Sequence, residues 1–299
     1  MNSSIVSYPD RGPWGNNAWR GNASGHVYVD LFNQYKPQSF VDPCVGGGTS
    51  LAVAKEMKIP FAVGLDLHSG FNGLKDSILE TVGREVDLCF SHPPYHDLIV
   101  YSNNMYGSEN HPDDLSRCTS PEDFNMKMLA FMLNQREATL PGGYYGCLIG
   151  DQRRSGRYFA YSAELIASMP SNELASVIIK AQHNCVSDKK HYPNMKHPRI
   201  MHEYIVLWQK PKSITSYLGD LALMAREASN RLTSIWRSVV RSALVSLGKA
   251  SSLADIYSRV EKDSPENLKS NKNWQAKIRQ VLQSYSDFAN VERGIWKLA

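Results

Sequence analysis

No stretch of the sequence approaches the roughly 18 consecutive apolar residues that a membrane helix requires, so no segment is expected to span a bilayer. The first 20 residues are polar, with Gly, Asn and Trp prominent, and lack the apolar core of a signal peptide. Five cysteines are present without a single Cys-x-x-Cys pair. That spacing offers no zinc framework and reads as free thiols in a reducing compartment, with the cytoplasm as the expected location. Internal repeats and low-complexity tracts are also missing. What is there is ordinary for a globular chain: 42% hydrophobic and 21% charged residues, which excludes disordered and collagen-like classes. A length of 299 residues suffices for one large domain and a small one.

The net charge of +4 says little about partners, but its distribution says more. Residues 213–299 hold 13 Lys and Arg against 8 Asp and Glu, which leaves 20 against 21 in the rest of the chain. A basic C-terminal third suits a phosphate-binding surface; a solvated helical face is the competing explanation.

Residues 40–41 predict a short strand running into a glycine turn, and residues 50–58 a helix. Residues 61–66 form an apolar run closed by Asp66, the pattern of a buried parallel strand. Residues 86–90 predict a third strand, halted by Pro93 and Pro94. A helix over 121–140 is expected to stop at Pro141-Gly142-Gly143, followed by a strand over 144–149 ending at Gly150-Asp151. A helix near 164–169 and strands over 176–180 and 204–208 complete the series. Strands alternating with helices predict an α/β sheet covered on both faces, with ligands at the carboxyl ends of the strands. The glycine turn, Asp66, the Pro-Pro-Tyr turn and Gly150-Asp151 all fall at such ends.

After Pro211 strand signals cease. Residues 213–248 read as a helical linker, and residues 251–299 as three helices and a terminal hairpin turning at Glu292-Arg293-Gly294. This order predicts a winged helix-turn-helix over 249–299. Its recognition helix is expected at 271–283, where Lys272, Asn273, Gln275, Lys277 and Arg279 are types that reach phosphates or base edges. Trp274, Ile278 and Leu282 recur at helical spacing and are expected in its core. A protein-binding module is the alternative.

Two short segments carry the chemistry. Asp42-Pro43-Cys44-Val45-Gly46-Gly47-Gly48-Thr49 lets backbone N–H groups approach a ligand and opens onto a helix N-terminus. It is neither a dinucleotide fingerprint, since Leu51 stands where the last glycine belongs, nor a phosphate loop, since no Gly-Lys-Ser/Thr follows. Asp66, at the next strand end, suits two ribose hydroxyls. The second segment is His92-Pro93-Pro94-Tyr95. Methylating an exocyclic amine requires acceptors for its two N–H protons, so that the lone pair leaves conjugation with the ring. A rigid turn offers one side-chain acceptor and a proline carbonyl, and the tyrosine is expected to stack on an extruded base. Taken singly, each segment also fits a capped glycine turn or a proline strand terminator.

As a pair they resemble the DNA amino-methyltransferases, which act on adenine N6 or cytosine N4 and carry Asp-Pro-Phe-x-Gly-x-Gly-Thr and Asp/Asn/Ser-Pro-Pro-Tyr. The resemblance covers roughly residues 14–211. It implies a Rossmann-like, S-adenosylmethionine-dependent methyltransferase sheet over a catalytic domain at 1–212, with DNA as partner. It also implies cofactor contacts from Asp42, Cys44, Gly46, Gly48 and Thr49, from Asp66 at the ribose, from Asp76 near the adenine, and from Asn22 within Trp19-Arg20-Gly21-Asn22. Leu140–Gly143, Ile149–Arg154 and the stretch from His202-Glu203-Tyr204 to Pro211 are similar to further family segments. His92 replaces the usual acceptor, as in a His-Pro-Pro-Tyr subset of the family. Only its neutral form accepts a proton, so turnover is expected to fall as pH drops through about 6.5. Asn103, Asn104 and Asp114 are candidate contacts to DNA or the flipped base. Gln182, His183 and Asn184 precede a basic loop around Lys189, Lys190 and Lys196, whose lysines suit phosphate contact, with a solvated loop as the stronger alternative. Metal binding by His191, His197 and His202 lacks a supporting pattern, and no metal site is assigned. Adenine N6 is the first expectation for the target and cytosine N4 the second. RNA or protein methylation and an inactive DNA-binding regulator remain as rivals, and a homodimer as an option.

Overall fold

The computed structural model describes residues 1, 3–16, 18–183, 196–212, 236, 239–241, 243–263, 273–285 and 288–299. The chain divides into two compact units, Met1–Leu218 and Gly219–Ala299.

The first unit is built on seven strands: β1 (Ile5–Ser7), β2 (Ser39–Asp42), β3 (Phe61–Gly64), β4 (Val86–Ser91), β5 (Thr139–Ile149), β8 (Leu174–Ala181) and β9 (His202–Gln209). They lie side by side in the order β1-β8-β9-β5-β4-β2-β3. All pairings are parallel except those of β9, which runs antiparallel to both β5 and β8. This is a Rossmann-like α/β sheet. Successive side chains on a strand point to opposite faces, and both faces here are apolar. Phe40, Leu88, Leu148 and Leu207 pack with one core, beside α1 (Gly25–Tyr35) and α2 (Thr49–Glu56). Val41, Cys89, Ile149 and Trp208 pack with the other, beside Ile78 of α3 (Ile78–Val82) and Phe124, Met128 and Phe131 of α4 (Pro121–Ala138).

Helix starts follow their caps. Ser120 accepts from the Asp123 N–H at 3.1 Å, with Pro121 in the first turn and two acids behind it. α1, which the periodicity reading did not pick out, is capped by Ser24 and buries Val27, Tyr28, Leu31 and Phe32. The expected stop at Pro141-Gly142-Gly143 is a correction: β5 begins at Thr139 and runs through it. Gly142 takes a positive φ of 86°, and the pairing with β4 slips between Val86 and Leu88. The segment is therefore a bulge within a strand, held by Gly142 N–H to the Lys210 carbonyl at 2.8 Å. A small hairpin, β6 (Gln152–Arg154) and β7 (Arg157–Phe159), follows β5; Ser155 and Gly156 both have positive φ, as a type I′ turn requires. α5 (Tyr161–Ser168) then precedes β8.

The strand order reverses at β2, whose successors lie on opposite sides: β3 on one, β4 on the other. Such a switch point opens a crevice at the strand carboxyl ends.

In the second unit, β10 (Ser251–Ser252), β12 (Ile295–Leu298) and β11 (Phe288–Glu292) form an antiparallel sheet beside α6 (Leu253–Asp263) and α7 (Trp274–Ser284). Ile256, Val260, Ile278, Val281 and Leu282 make its core. Two of the three expected helices are described; residues 264–272 and most of the linker lie outside the described residues. No described helix is long and apolar enough to cross a membrane.

Gly146 tests the packing of the central sheet, because a Cβ there would stand 2.3 Å from the Val206 carbonyl oxygen. Gly146→Ala is expected to lower unfolding free energy by about 1–3 kcal/mol in denaturant titration; an unchanged midpoint would contradict the packing.

Candidate active site

The glycine turn leaves the end of β2 with Gly46 at φ 46° and Gly48 at φ 79°, conformations open to residues without a Cβ. Asp42 lies below the turn, not in it. Its Oδ1 accepts the Cys44 N–H at 2.9 Å, and burial pushes its carboxyl up to about 7. Asp66, just past β3, reaches across: Oδ2 accepts the Gly46 N–H at 2.9 Å, and Oδ1 lies 2.8 Å from Nδ1 of His68. That contact raises the His68 pKa. The N-terminal segment closes over the turn. Asn16 N–H donates to the Gly47 carbonyl at 3.0 Å, and a Cβ on Gly46 would meet Trp19 Nε1 at 2.8 Å. Between these pieces lies a cavity open to solvent, lined by Trp19, Asn22, Cys44, Gly46, Thr49, Asp66, Tyr101 and Tyr106, and also by His92 and Pro94. Thr49 Oγ1 is buried there without a hydrogen-bond partner.

The His-Pro-Pro-Tyr turn leaves β4, the strand beside β2. Its base is fixed by Gln135, whose Nε2 donates to Ser91 Oγ at 3.0 Å. Its far end is fixed by His96, which holds a positive φ of 49°. The His96 ring lies 2.8 Å from Tyr161 Oη and 3.0 Å from the Cys118 carbonyl oxygen. Within the turn His92 Nε2 lies 2.7 Å from Tyr95 Oη. Tyr95 Oη donates to Glu203 Oε1 at 3.1 Å. A second recess adjoins the first; it shares Gly21, Asn22, Ala23, His92, Pro94 and Tyr101 with it and adds Pro93, Arg11, Arg20, Lys180 and Glu203.

Of the sequence-predicted cofactor contacts, Asn22, Cys44, Gly46, Thr49 and Asp66 line the first cavity, and Asp42, Gly48 and Asp76 do not. Gly48 is the N-cap of α2. The Asp76 carboxylate instead accepts the Asn72 N–H at 2.7 Å. Tyr95 lines the second recess but is largely enclosed. The residue is 7% exposed and its ring packs on Gly150, where a Cβ would meet it at 2.6 Å. The expectation for His92 also changes, because burial pushes its imidazole down to about 4, so the neutral form persists well below the pH of about 6.5 expected for an exposed ring. Asp114 is a loop organiser, accepting from Ser102 and Ser116 backbone N–H groups at 2.8 Å each. Asn103 bonds Asn110 at 3.1 Å and Asn104 the Val100 carbonyl at 2.8 Å. Asn184, Lys189, Lys190 and His191 lie outside the described residues, and His202 bonds Tyr204 at 2.9 Å.

In the second unit α7 starts at Trp274 with Asn273 as N-cap, and Lys272 lies outside the described residues. Ile278 and Leu282 are buried. Gln275 and Arg279 are exposed, with Arg279 donating to Tyr257 Oη at 2.9 Å and Lys277 to Gln280 at 2.9 Å. Sequence reading assigned no role to Lys180 or Glu203. Their signal is weak: one charged residue in each of two apolar strands.

No protein-family model matches the chain, and no curated protein matches it in sequence. Among solved structures, TrmN from Thermus thermophilus aligns at 15% identity and TM-score 0.39, over 64% of this chain and 50% of its own. TTHA0409 from the same organism, a candidate DNA modification methylase solved with S-adenosyl-L-methionine, aligns at 17% and 0.30, over 58% and 56%. The N-methyltransferase NodS from Bradyrhizobium japonicum aligns at 9% and 0.32, over 62% and 94%. The chain therefore spans about half the length of the first two. These likenesses concern the α/β fold alone.

The enclosure of His92 has a direct readout. Its ring proton resonances should titrate with a midpoint near 4 in NMR spectra of the full chain; a midpoint near the ordinary value of about 6.5 would show an open, hydrated ring.

Proposed function

We propose that the chain is an S-adenosylmethionine-dependent DNA methyltransferase acting on an exocyclic amine, adenine N6 first and cytosine N4 second. One observation carries this reading: the glycine turn and the His-Pro-Pro-Tyr turn end adjacent parallel strands, and His92 and Pro94 face both cavities.

The first cavity fits the cofactor by its donors. Gly46 and its neighbours form a cradle where added Cβ atoms would collide with Trp19 and Asn22. Asp66 offers carboxylate oxygens to a ribose, and Thr49 Oγ1 is a buried hydroxyl awaiting a partner. Tyr101, Tyr106 and Trp19 supply aromatic walls, and Trp19 stacks near-parallel to Tyr106 at 6.4 Å between centroids. S-adenosylmethionine bound there supplies an electrophilic methyl group.

The second recess takes the base. Neutral His92 and the Pro93 carbonyl accept the two N–H protons of the target amine, which localises its lone pair on nitrogen. No strong base is required, which agrees with an imidazole held neutral by burial. Leu98, Ile99 and Tyr101 offer apolar surface to the extruded base, and Arg11 and Arg20 offer positive charge to the strand it leaves. Placing the amine beside the methyl group supplies much of the rate. Residues 249–299 act in this reading as a winged-helix module, with Asn273, Gln275, Lys277 and Arg279 of α7, and Lys272 before it, toward DNA.

The test is incorporation of tritiated methyl from S-adenosylmethionine into duplex DNA, structured RNA and a protein extract offered in parallel. Label is expected in DNA and to fall at least about 100-fold for His92→Ala, by analogy with loss of a positioned proton acceptor. Label in RNA or protein alone, or none for the wild-type chain, would overturn the reading.

A further inference from the structure

Two buried charges have no part in the mechanism above. Lys180 of β8 and Glu203 of β9 are paired neighbours across the antiparallel strands. Lys180 Nζ lies 2.9 Å from Glu203 Oε2, and their side chains are only 10% and 11% exposed. A buried ion pair loses the hydration of both partners and is often no more stable than an apolar pair of the same size. Stability alone is therefore a weak reason for this one to be here, directly behind the catalytic turn.

Hydrogen-bond direction supplies a better reason. Burial alone would raise the Glu203 pKa, but the charge of Lys180 first, then the attraction of His92 and hydrogen bonds from Lys180 and Gln182, outweigh it and hold the carboxyl below its ordinary range. An ionised carboxylate only accepts. Its Oε1, 3.1 Å from Tyr95 Oη, thus takes the single proton of that hydroxyl. Were the hydroxyl turned toward His92 instead, two oxygen lone pairs would face each other in a buried site. With its proton spent on Glu203, Tyr95 Oη can only accept from His92 Nε2, 2.7 Å away. A neutral imidazole carries one ring proton. If Nε2 holds it, Nδ1 is bare, and among the described residues Nδ1 has no hydrogen-bond partner.

We propose that Lys180 and Glu203, acting through Tyr95, fix His92 in its Nε2–H tautomer, so that Nδ1 is the acceptor presented to the target amine. Lys180 and Glu203 are positioning residues, since they reach the amine only through Tyr95 and His92. The Tyr95 position then requires a hydroxyl as well as a ring. The purpose of the relay rests on the methyltransferase reading, whereas the tautomer is a property of the protein alone.

The test uses the full chain labelled with ¹⁵N-histidine, reading His92 in two-bond ¹H–¹⁵N correlation spectra near pH 7, beside single-turnover methyl transfer and cofactor affinity. The wild-type ring is expected as the Nε2–H tautomer. Glu203→Gln places an N–H donor where only an acceptor stood, which frees the Tyr95 hydroxyl to turn toward Nε2. The ring proton should then move to Nδ1 in a substantial fraction of molecules. Single-turnover transfer should fall at least ten-fold with cofactor affinity unchanged. Tyr95→Phe, which removes the relay oxygen without adding a donor, should give a mixture of tautomers. A wild-type ring found as Nδ1–H overturns the proposal, as does a tautomer indifferent to both substitutions; the wild-type spectrum decides even if neither variant folds. The expected tautomers together with no DNA methylation by the wild-type chain would uphold the relay and overturn the functional reading.

Discussion

Everything at the candidate site depends on β2 pairing in parallel with both β3 and β4. Because the chain steps from β2 to one side and then returns to the other, no connection covers the carboxyl end of β2. The glycine turn and the His-Pro-Pro-Tyr turn are each made by their own local residues. Neither turn would face the other without that reversal of strand order. Asp66 ties the arrangement together, since a carboxylate leaving β3 satisfies the Gly46 N–H at the end of β2. The helices supply the two apolar layers that bury the central strands β2, β4, β5 and β9.

A second constraint is the burial behind the His-Pro-Pro-Tyr turn. Burial favours the uncharged form of the His92 imidazole and the Tyr95 hydroxyl, while Lys180 keeps Glu203 charged. The result is a chain of groups, each engaged by the next, with one fixed charge at its end. His96 and Gln135 anchor the same turn from its other side through bonds to Tyr161, the Cys118 carbonyl and Ser91. A turn pinned at both ends and polarised from behind is suited to presenting one acceptor at one place.

Much of this was legible in the sequence because a strand buried on both faces reads as a plain apolar run. Residues 86–90, 144–149 and 204–208 announced themselves in this way, residues 61–66 by a similar apolar run although β3 is a half-buried edge strand, and the two turns stood out by their glycines and prolines. Other parts were hidden for physical reasons. β1 is three residues long and owes its existence to pairing with β8, which no local pattern encodes. Pro141-Gly142-Gly143 looks locally like a terminator, yet the Lys210 backbone opposite turns it into a bulge. The standing of Tyr95 also needed the fold, because a tyrosine beside two prolines gives no sign that Gly150 and Glu203 will enclose it. Glu203 lies 108 positions from the tyrosine it orients, and only the strand order joins them.

In the proposed function, the turn after β4 prepares an exocyclic amine, not a ring carbon or ring nitrogen, for methylation. Enzymatic digestion of DNA methylated by the full chain, with mass spectrometry of the nucleosides, addresses it most directly. The expected modified nucleoside is N6-methyladenine, with N4-methylcytosine as the second choice. Finding 5-methylcytosine or a base methylated on a ring nitrogen would contradict it, because neither product calls for the paired acceptors at His92 and Pro93.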